Sequence, residues 1–241
     1  RNEYYHAALA VENSSSPAYQ PVTVTASLKG NTIEQTGRIF LPASLESYGH
    51  DADGNLSVDG RWNCTWDAEN RLIKMEARSN IPAAARQKLE FEYDYQGRRI
   101  RKTVYALNPS TFNYDLSAQT RFVYDGWNLL AELDSNNNPI RSYVWGLDLS
   151  GTPQGVGGVG GLLAVKPNGG PAHFAAYDGN GNVTALVDGS TGNISAQYEY
   201  GPFGESIRVT GPMGKANPFR WSTKFTDDET DLVYYGYRYY N

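Results

Sequence analysis

Four carboxylates crowd the end of the 241-residue chain, at Asp227, Asp228, Glu229 and Asp231. Repulsion between neighbouring carboxylates raises one pKa and leaves a general acid beside a general base, the arrangement of a self-cleaving aspartyl-protease-like centre. A solvated turn ahead of a last strand accounts for the same residues. Gly155-Val-Gly157-Gly-Val-Gly160 matches the G-x-G-x-x-G spacing of dinucleotide sites, but that chemistry needs a helix N-terminus to receive phosphate. Leu162-Leu-Ala-Val165 runs instead into Pro167 and two glycines, so an ordered glycine crossing is expected. Asp51-Ala-Asp53-Gly-Asn55 and Asp178-Gly-Asn180-Gly-Asn182 place oxygen ligands at calcium-loop spacing, yet Trp62 and Gly189 stand where an EF-hand requires Glu. Weak calcium binding is a hypothesis beside plain turn formation. His6, His50 and His173 are scattered, and no nucleophile-elbow or zinc-helix motif occurs. Cys64, between Trp62 and Trp66, reads as a buried structural thiol. Sequence assigns no catalytic, cofactor or metal site, and the chain is read as non-enzymatic.

Composition narrows the class of protein that carries these residues. Lys and Arg number 21 against 26 Asp and Glu, a net charge of −5 without blocks, which disfavours a polyanion-binding surface and removes nucleic acid as a partner. No apolar stretch approaches the ~20 residues of a membrane-spanning helix. A single cysteine excludes an internal disulfide framework. With 18 Tyr, 25 Gly and 12 Pro, the chain suits short strands and sharp turns better than helices. It begins at Arg1 with no initiator methionine or apolar leader, so a fragment of a longer polypeptide is expected. Five sequons, at Asn13, Asn55, Asn63, Asn182 and Asn193, are what Asn-rich turns generate by chance.

The elements that position everything else are repeats. An aromatic or apolar residue, an Asp, a few small polar residues, a Gly or Asn and then an aliphatic strand recur seven times. The copies start at Asp51, Trp66-Asp67, Tyr93-Asp94, Tyr124-Asp125, Leu133-Asp134, Tyr177-Asp178 and Val187-Asp188. The Asp accepts backbone N–H bonds two residues on, and the Gly or Asn takes the positive φ of a hairpin turn. Flanking residues alternate as strands do: Leu89, Phe91, Tyr93 and Tyr95 share one face. Val183, Ala185 and Val187 turn back into Ile194, Ala196, Tyr198 and Tyr200, and Val22, Val24, Ala26 and Leu28 precede the turn at Lys29-Gly30-Asn31. Only 82–88 suggests a helical turn. An isolated hairpin is marginal in water, so the hairpins must join edge to edge into one continuous sheet. The expected class is all-β.

The repeats resemble the tyrosine–aspartate (YD) repeats of the Rhs family, which is related to teneurin and insecticidal toxin-complex shells. Tyr200-Gly-Pro-Phe-Gly204, then Asn217-Pro-Phe-Arg220-Trp-Ser-Thr-Lys-Phe225, then Asp228 through Tyr234-Tyr235-Gly236-Tyr237-Arg238-Tyr239-Tyr240 resembles the Rhs repeat-associated core signature. The resemblance covers 48–241 and divides the chain into N-terminal strands (1–47), YD hairpins (48–145), a Gly-rich crossing (146–171) and the core end (172–241). It departs from the family at Asp231, where Gly is usual, and at Val233, where an aromatic is usual. It implies a curled sheet forming part of a hollow shell or barrel around a toxin-like cargo polypeptide. Shell segments of the same protein or another copy are the implied partners, and the implied setting is a secreted or cell-surface bacterial protein. The Pro-x-x-Gly-Arg and Asp-Pro motifs that the family associates with self-cleavage would follow Asn241. A second reading, from the exposed tyrosines with Trp127 or Trp145, is a surface adhesin that stacks carbohydrate.

Overall fold

Five of the aspartate turns close by one device. In a computed structural model describing residues 7–240, one carboxylate oxygen of Asp51, Asp67, Asp94, Asp134 and Asp178 accepts the N–H groups two and four residues on, at 2.8–3.0 Å. The residue three on is Gly54, Asn70, Gly97, Asn137 or Gly181, each at positive φ. The Asp N–H donates to the carbonyl four residues later, closing the loop. Asp188 bonds instead to the N–H of Ser190 and Thr191. Asp125 departs from the pattern: only Gly126 and Trp127 separate it from its cross-strand partner Asn128, so the chain makes a tight two-residue turn.

The strands joined by these turns are β1 (Ala18–Leu28), β2 (Asn31–Leu41), β3 (Gly49–His50), β4 (Leu56–Val58), β5 (Trp62–Trp66), β6 (Leu72–Ala77), β7 (Gln87–Tyr93) and β8 (Arg99–Leu107). They continue with β9 (Tyr114–Asp125), β10 (Asn128–Leu133), β11 (Pro139–Trp145), β12 (Leu162–Pro167), β13 (His173–Tyr177), β14 (Val183–Asp188), β15 (Ile194–Tyr200) and β16 (Ser206–Thr210). Among the described residues, β3 to β16 are hydrogen-bonded neighbours in sequence order, a 14-stranded sheet, while β1 pairs with β2 alone. The short strands β17 (Phe225–Thr226), β18 (Val233–Tyr234) and β19 (Tyr239–Tyr240) form a third sheet. The all-β class is thereby established. The helical turn expected over 82–88 shrinks to a 3₁₀ turn at Ala83–Ala85, because Gln87 already belongs to β7.

The turns at Asp51, Asp67, Asp134 and Asp178 each leave a bulge behind them. His50 pairs with Leu56 and Gly49 with Val58, skipping Ser57; Tyr177 pairs with Val183 and Ala176 with Ala185, skipping Thr184. The same slip follows the turns at Asp67 and Asp134. A bulge adds right-handed twist and moves side chains between faces. The bulge at Ser195 is why Ile194, expected inward, is 58% exposed. Tyr95, expected on the face of Leu89 and Phe91, is 90% exposed because Asp94 has already begun the turn.

The bulge also strands a carbonyl. The ladder from β4 to β5 starts at Val58, from β10 to β11 at Ala131, from β12 to β13 at Ala164 and from β14 to β15 at Ala185. In each case the carbonyl two residues earlier receives the aromatic of the neighbouring strand. Trp66 donates to Leu56, Trp145 to Leu129, Tyr177 to Leu162 and Tyr200 to Val183. Tyr124 does the same for Arg99 at 3.1 Å. The aromatic before the turn thus caps the preceding hairpin.

Contacts divide the chain into two compact units. The first takes the chain up to Phe91 with Thr103–Ala118, and its core gathers Trp62, Leu72, Met75, Ile81 and Leu89. The second, Glu92–Lys102 with the chain from Gln119, is built round Phe122, Leu162, Val165, Val183, Leu186 and Tyr198, with Phe219 and Phe225 packed among them.

If the aromatic caps matter as argued, Tyr200→Phe leaves the Val183 carbonyl unpaired and costs about 1–3 kcal/mol. Tyr95→Phe, at an exposed turn, costs nothing measurable. Urea denaturation of the two variants checks the contrast.

Candidate functional site: a buried ion cluster and an aromatic cleft

The second unit carries the chain's densest chemistry, and the C-terminal segment builds it. β17 to β19 and the 3₁₀ turn Trp221–Thr223 supply Lys224, Phe225, Asp227, Glu229, Tyr234 and Tyr239. The guanidinium of Arg99, at the start of β8, meets the Asp227 carboxylate with both terminal nitrogens, at 2.5 and 3.1 Å. Lys102 Nζ lies 2.8 Å from Asp227 and 2.8 Å from Glu229. Arg99 and Asp227 are each 1% exposed. The guanidinium carbon sits 4.6–5.2 Å from the ring centres of Tyr234, Phe122 and Phe225, so π faces clothe the cation where the carboxylate does not. Backbone groups join in, since the Arg99 N–H donates to Tyr234 Oη. Tyr93 and Tyr239 pair through their hydroxyls at 2.9 Å.

Electrostatics here run opposite to a shared-proton dyad. Burial alone would push the Asp227 carboxyl up, but the charges of Arg99 and Lys102 outweigh it and hold the group below the ordinary carboxylate range. Two of the four clustered carboxylates, Asp227 and Glu229, converge on the Lys102 ammonium, which stands where a shared proton would. Asp228 pairs with Arg220 at 2.9 Å, Glu229 with Lys102, and Asp231 takes positive φ at the turn between β17 and β18. This geometry locks a carboxylate in place and offers no proton to share.

The remaining sequence candidates are placed as follows. His6 lies outside the described residues. His50 is exposed on β3, and buried His173 sits 2.9 Å from Ser195 Oγ, whose hydroxyl donates to Leu186. Cys64 is half-buried, and burial pushes its thiol up to about 12. The calcium-like loops spend their Asp51 and Asp178 oxygens on backbone N–H groups and Asn side chains. The Gly-rich crossing forms around Asp148, whose carboxylate accepts the N–H groups of Ser150, Val156 and Gly158 and the Ser150 hydroxyl. Burial tends to raise that carboxyl, but these donors pull it down to about 2. At Gly181 a Cβ would meet Val159 at 2.6 Å and the Gly160 nitrogen at 3.1 Å, so two backbones approach where only glycine fits.

Trp127 and Trp145, far apart in sequence, line one cleft of about 240 Å³ with Tyr124, Tyr235, Tyr237 and Lys224. Sequence reasoning missed Arg99, Lys102 and Lys224. The only local hint was a run of basic residues, Arg98-Arg99-Ile-Arg101-Lys102, leading into a strand that buries Arg99 and Lys102 together with Thr103 and Val104.

A sequence-ordered antiparallel sheet of aspartate-turn hairpins, finished by a C-terminal segment with its own ion cluster, defines the class of YD-repeat shell proteins. The profile of the teneurin YD-shell family matches residues 25–241, and the chain belongs to that family. It is 33% identical over 198 residues to the tRNA3(Ser)-specific nuclease WapA of Bacillus spizizenii and to the tRNA nuclease WapA of Bacillus subtilis. The alignments cover 81% of this chain and 7% of each relative, so the chain spans a small part of the curated proteins it matches. Among solved structures, TcdB2-TccC3 superposes with a TM-score of 0.53 at 20% identity, over 80% of this chain and 9% of that one. TcdB2-TccC3-Cdc42 does so with a TM-score of 0.50 at 18% identity, over 91% of this chain and 12% of that one. These likenesses show the fold. Among the described residues, no helix is long and apolar enough to cross a membrane.

Two outcomes test the site. Arg99→Met removes the two-pronged partner of Asp227 and leaves it Lys102 alone, costing at most about 3–5 kcal/mol, whereas Arg99→Met with Asp227→Leu costs less than the two single changes summed. Lys102 keeps Glu229 in the double variant; a double-mutant cycle by urea denaturation measures the coupling. The depressed carboxyl of Asp148 contributes stability that is present above its ordinary 3.8 and lost as pH falls toward 2. The gap in stability between wild type and Asp148→Asn therefore narrows through that window, read by denaturation at pH 7, 4 and 2.

Proposed function

We propose that this chain is a non-enzymatic section of the wall of an Rhs/YD-repeat shell that encloses a toxin-like cargo polypeptide. One observation carries the reading: from β3 to β16 the strands pair in sequence order, and the repeat's chemistry is spent within the wall. Turn carboxylates saturate turn N–H groups, and the aromatics cap carbonyls. The sheet's order ends at β3 and β16, so this section has two edges at which further wall would pair. Such a sheet curls through its bulges and separates an enclosed chain from water and proteases. The WapA relatives are nucleases. In a parent of that kind the toxic activity would reside in the cargo, while this section contains it. The setting consistent with this role is a secreted or cell-surface bacterial protein, with neighbouring shell segments as partners.

Limited trypsin digestion of the full-length parent, followed by mass spectrometry, tests containment. Cargo peptides are expected to appear only after cuts within the wall, and sooner when Tyr200→Phe and Asp178→Ala loosen it. Cargo digested at the rate of an unfolded chain, beside an intact wall, would refute the reading.

A further inference from the structure

The aromatic cleft of the second unit has a feature that wall-building does not use. Aromatic rings line it: Trp127 packs on Tyr237 with ring centres 4.7 Å apart, and the Trp145 indole N–H is already committed to the Leu129 carbonyl. The polar group at its margin is Lys224. Other sheltered cations of this unit, Arg99, Lys102 and Arg220, each meet a carboxylate. Lys224 instead donates to the Gly157 carbonyl and lies 5.8 Å from the Tyr235 ring centre, and among the described residues it makes no ion pair. Burial lowers its pKa, and the carboxylate that pulls the other way, Asp148, is filled by backbone N–H groups. A half-buried ammonium that meets no carboxylate therefore borders an aromatic slot.

Size limits the occupant. An apolar cavity of roughly 150 Å³ holds a benzene ring. About 240 Å³ accommodates one fused ring with a short substituent. We propose that this cleft is a binding site for a small aromatic acid, its ring between Trp127 and Trp145 and its carboxylate on Lys224. The ring replaces water against π faces, and the carboxylate supplies the missing counter-ion. This site stands independently of the shell reading.

Calorimetric titration of the 241-residue chain with indole-3-acetate and with indole tests the proposal. Indole-3-acetate is expected to bind with one-to-one stoichiometry, roughly tenfold to a hundredfold tighter than indole, the range of a charge-assisted bond. Lys224→Met should erase that preference, so that the two probes bind alike; Lys224→Arg should keep it; Trp127→Ala should weaken both probes. Equal binding of the two probes by the wild-type chain would overturn the proposal, and that comparison needs no variant to fold. So would the absence of saturable binding, or wild-type affinity in Lys224→Met. A capped Ala-Trp-Glu-Ala peptide that binds where indole-3-acetate does not would also overturn it, by assigning the slot to a polypeptide side chain.

Discussion

The five-residue turns at Asp51, Asp94 and Asp178 each pose two backbone problems at once: N–H groups trapped inside the loop and a carbonyl just after it that an aromatic of a neighbouring strand must cap. A polar backbone group left unpaired away from water costs about 1–3 kcal/mol, more than a single strand pair returns. The aspartate answers the first problem from within the turn. The aromatic answers the second from the strand of the following hairpin, as Tyr200 does for Val183 and Trp66 for Leu56. Tyrosine and tryptophan qualify because each buries a large apolar body and still donates one hydrogen bond; phenylalanine would pack and leave the carbonyl bare. The two residues stand side by side in sequence because a single repeat closes its own turn and caps the hairpin before it.

That division of labour commits the ionisable groups of the turns and of the ion cluster to structure. In the turns, the side-chain amides of Asn55 and Asn138 lower the carboxyls of Asp51 and Asp134, and in Asp94 and Asp178 hydrogen bonds overcome the upward push of burial. They remain ionised because their neighbours are donors, which is the reverse of what a general acid needs at neutral pH. Asp227 reaches the same state by a different route, neutralised by two cations inside aromatic walls. The phenols of Tyr93, Tyr124 and Tyr234 are driven up by burial and stay protonated.

What the sequence disclosed and what it hid follow the same physics. An aspartate with Gly or Asn three places on is a local signal, since both ends of its hydrogen bonds lie in one pentapeptide. The turns at Asp51, Asp67, Asp94, Asp134 and Asp178 were legible for that reason. The turn at Gly201 was not, because its carboxylate comes from the far end: Glu205 accepts the Phe203 N–H, and a Cβ at Gly201 would collide with it. Bulges were invisible too, which is why strict alternation placed Tyr95 and Ile194 on the wrong side. The Arg99 and Asp227 pair joins residues 128 positions apart, and no spacing rule connects them. The cleft of Trp127 and Trp145 likewise appears only once β10, β11 and the C-terminal segment are assembled.

The repeat and the C-terminal segment solve different problems, and their chemistry differs accordingly. A hairpin whose contacts lie within itself and its immediate neighbours can be added to a sheet any number of times, as in other quasi-one-dimensional arrays. Such an array has no intrinsic place to stop and no core of its own beyond the next strand. The C-terminal segment supplies what repetition cannot: an insert of Phe219, Phe225 and Tyr234 that fills the second unit's core, anchored by an ion pair needing both partners to be buried together. A buried pair of this sort adds little net stability over apolar packing, but it penalises any docking that leaves Arg99 or Asp227 alone. Specificity of register, not strength, is therefore the physical role that best fits the cluster, and it lies where a repeating sheet is otherwise free to slip.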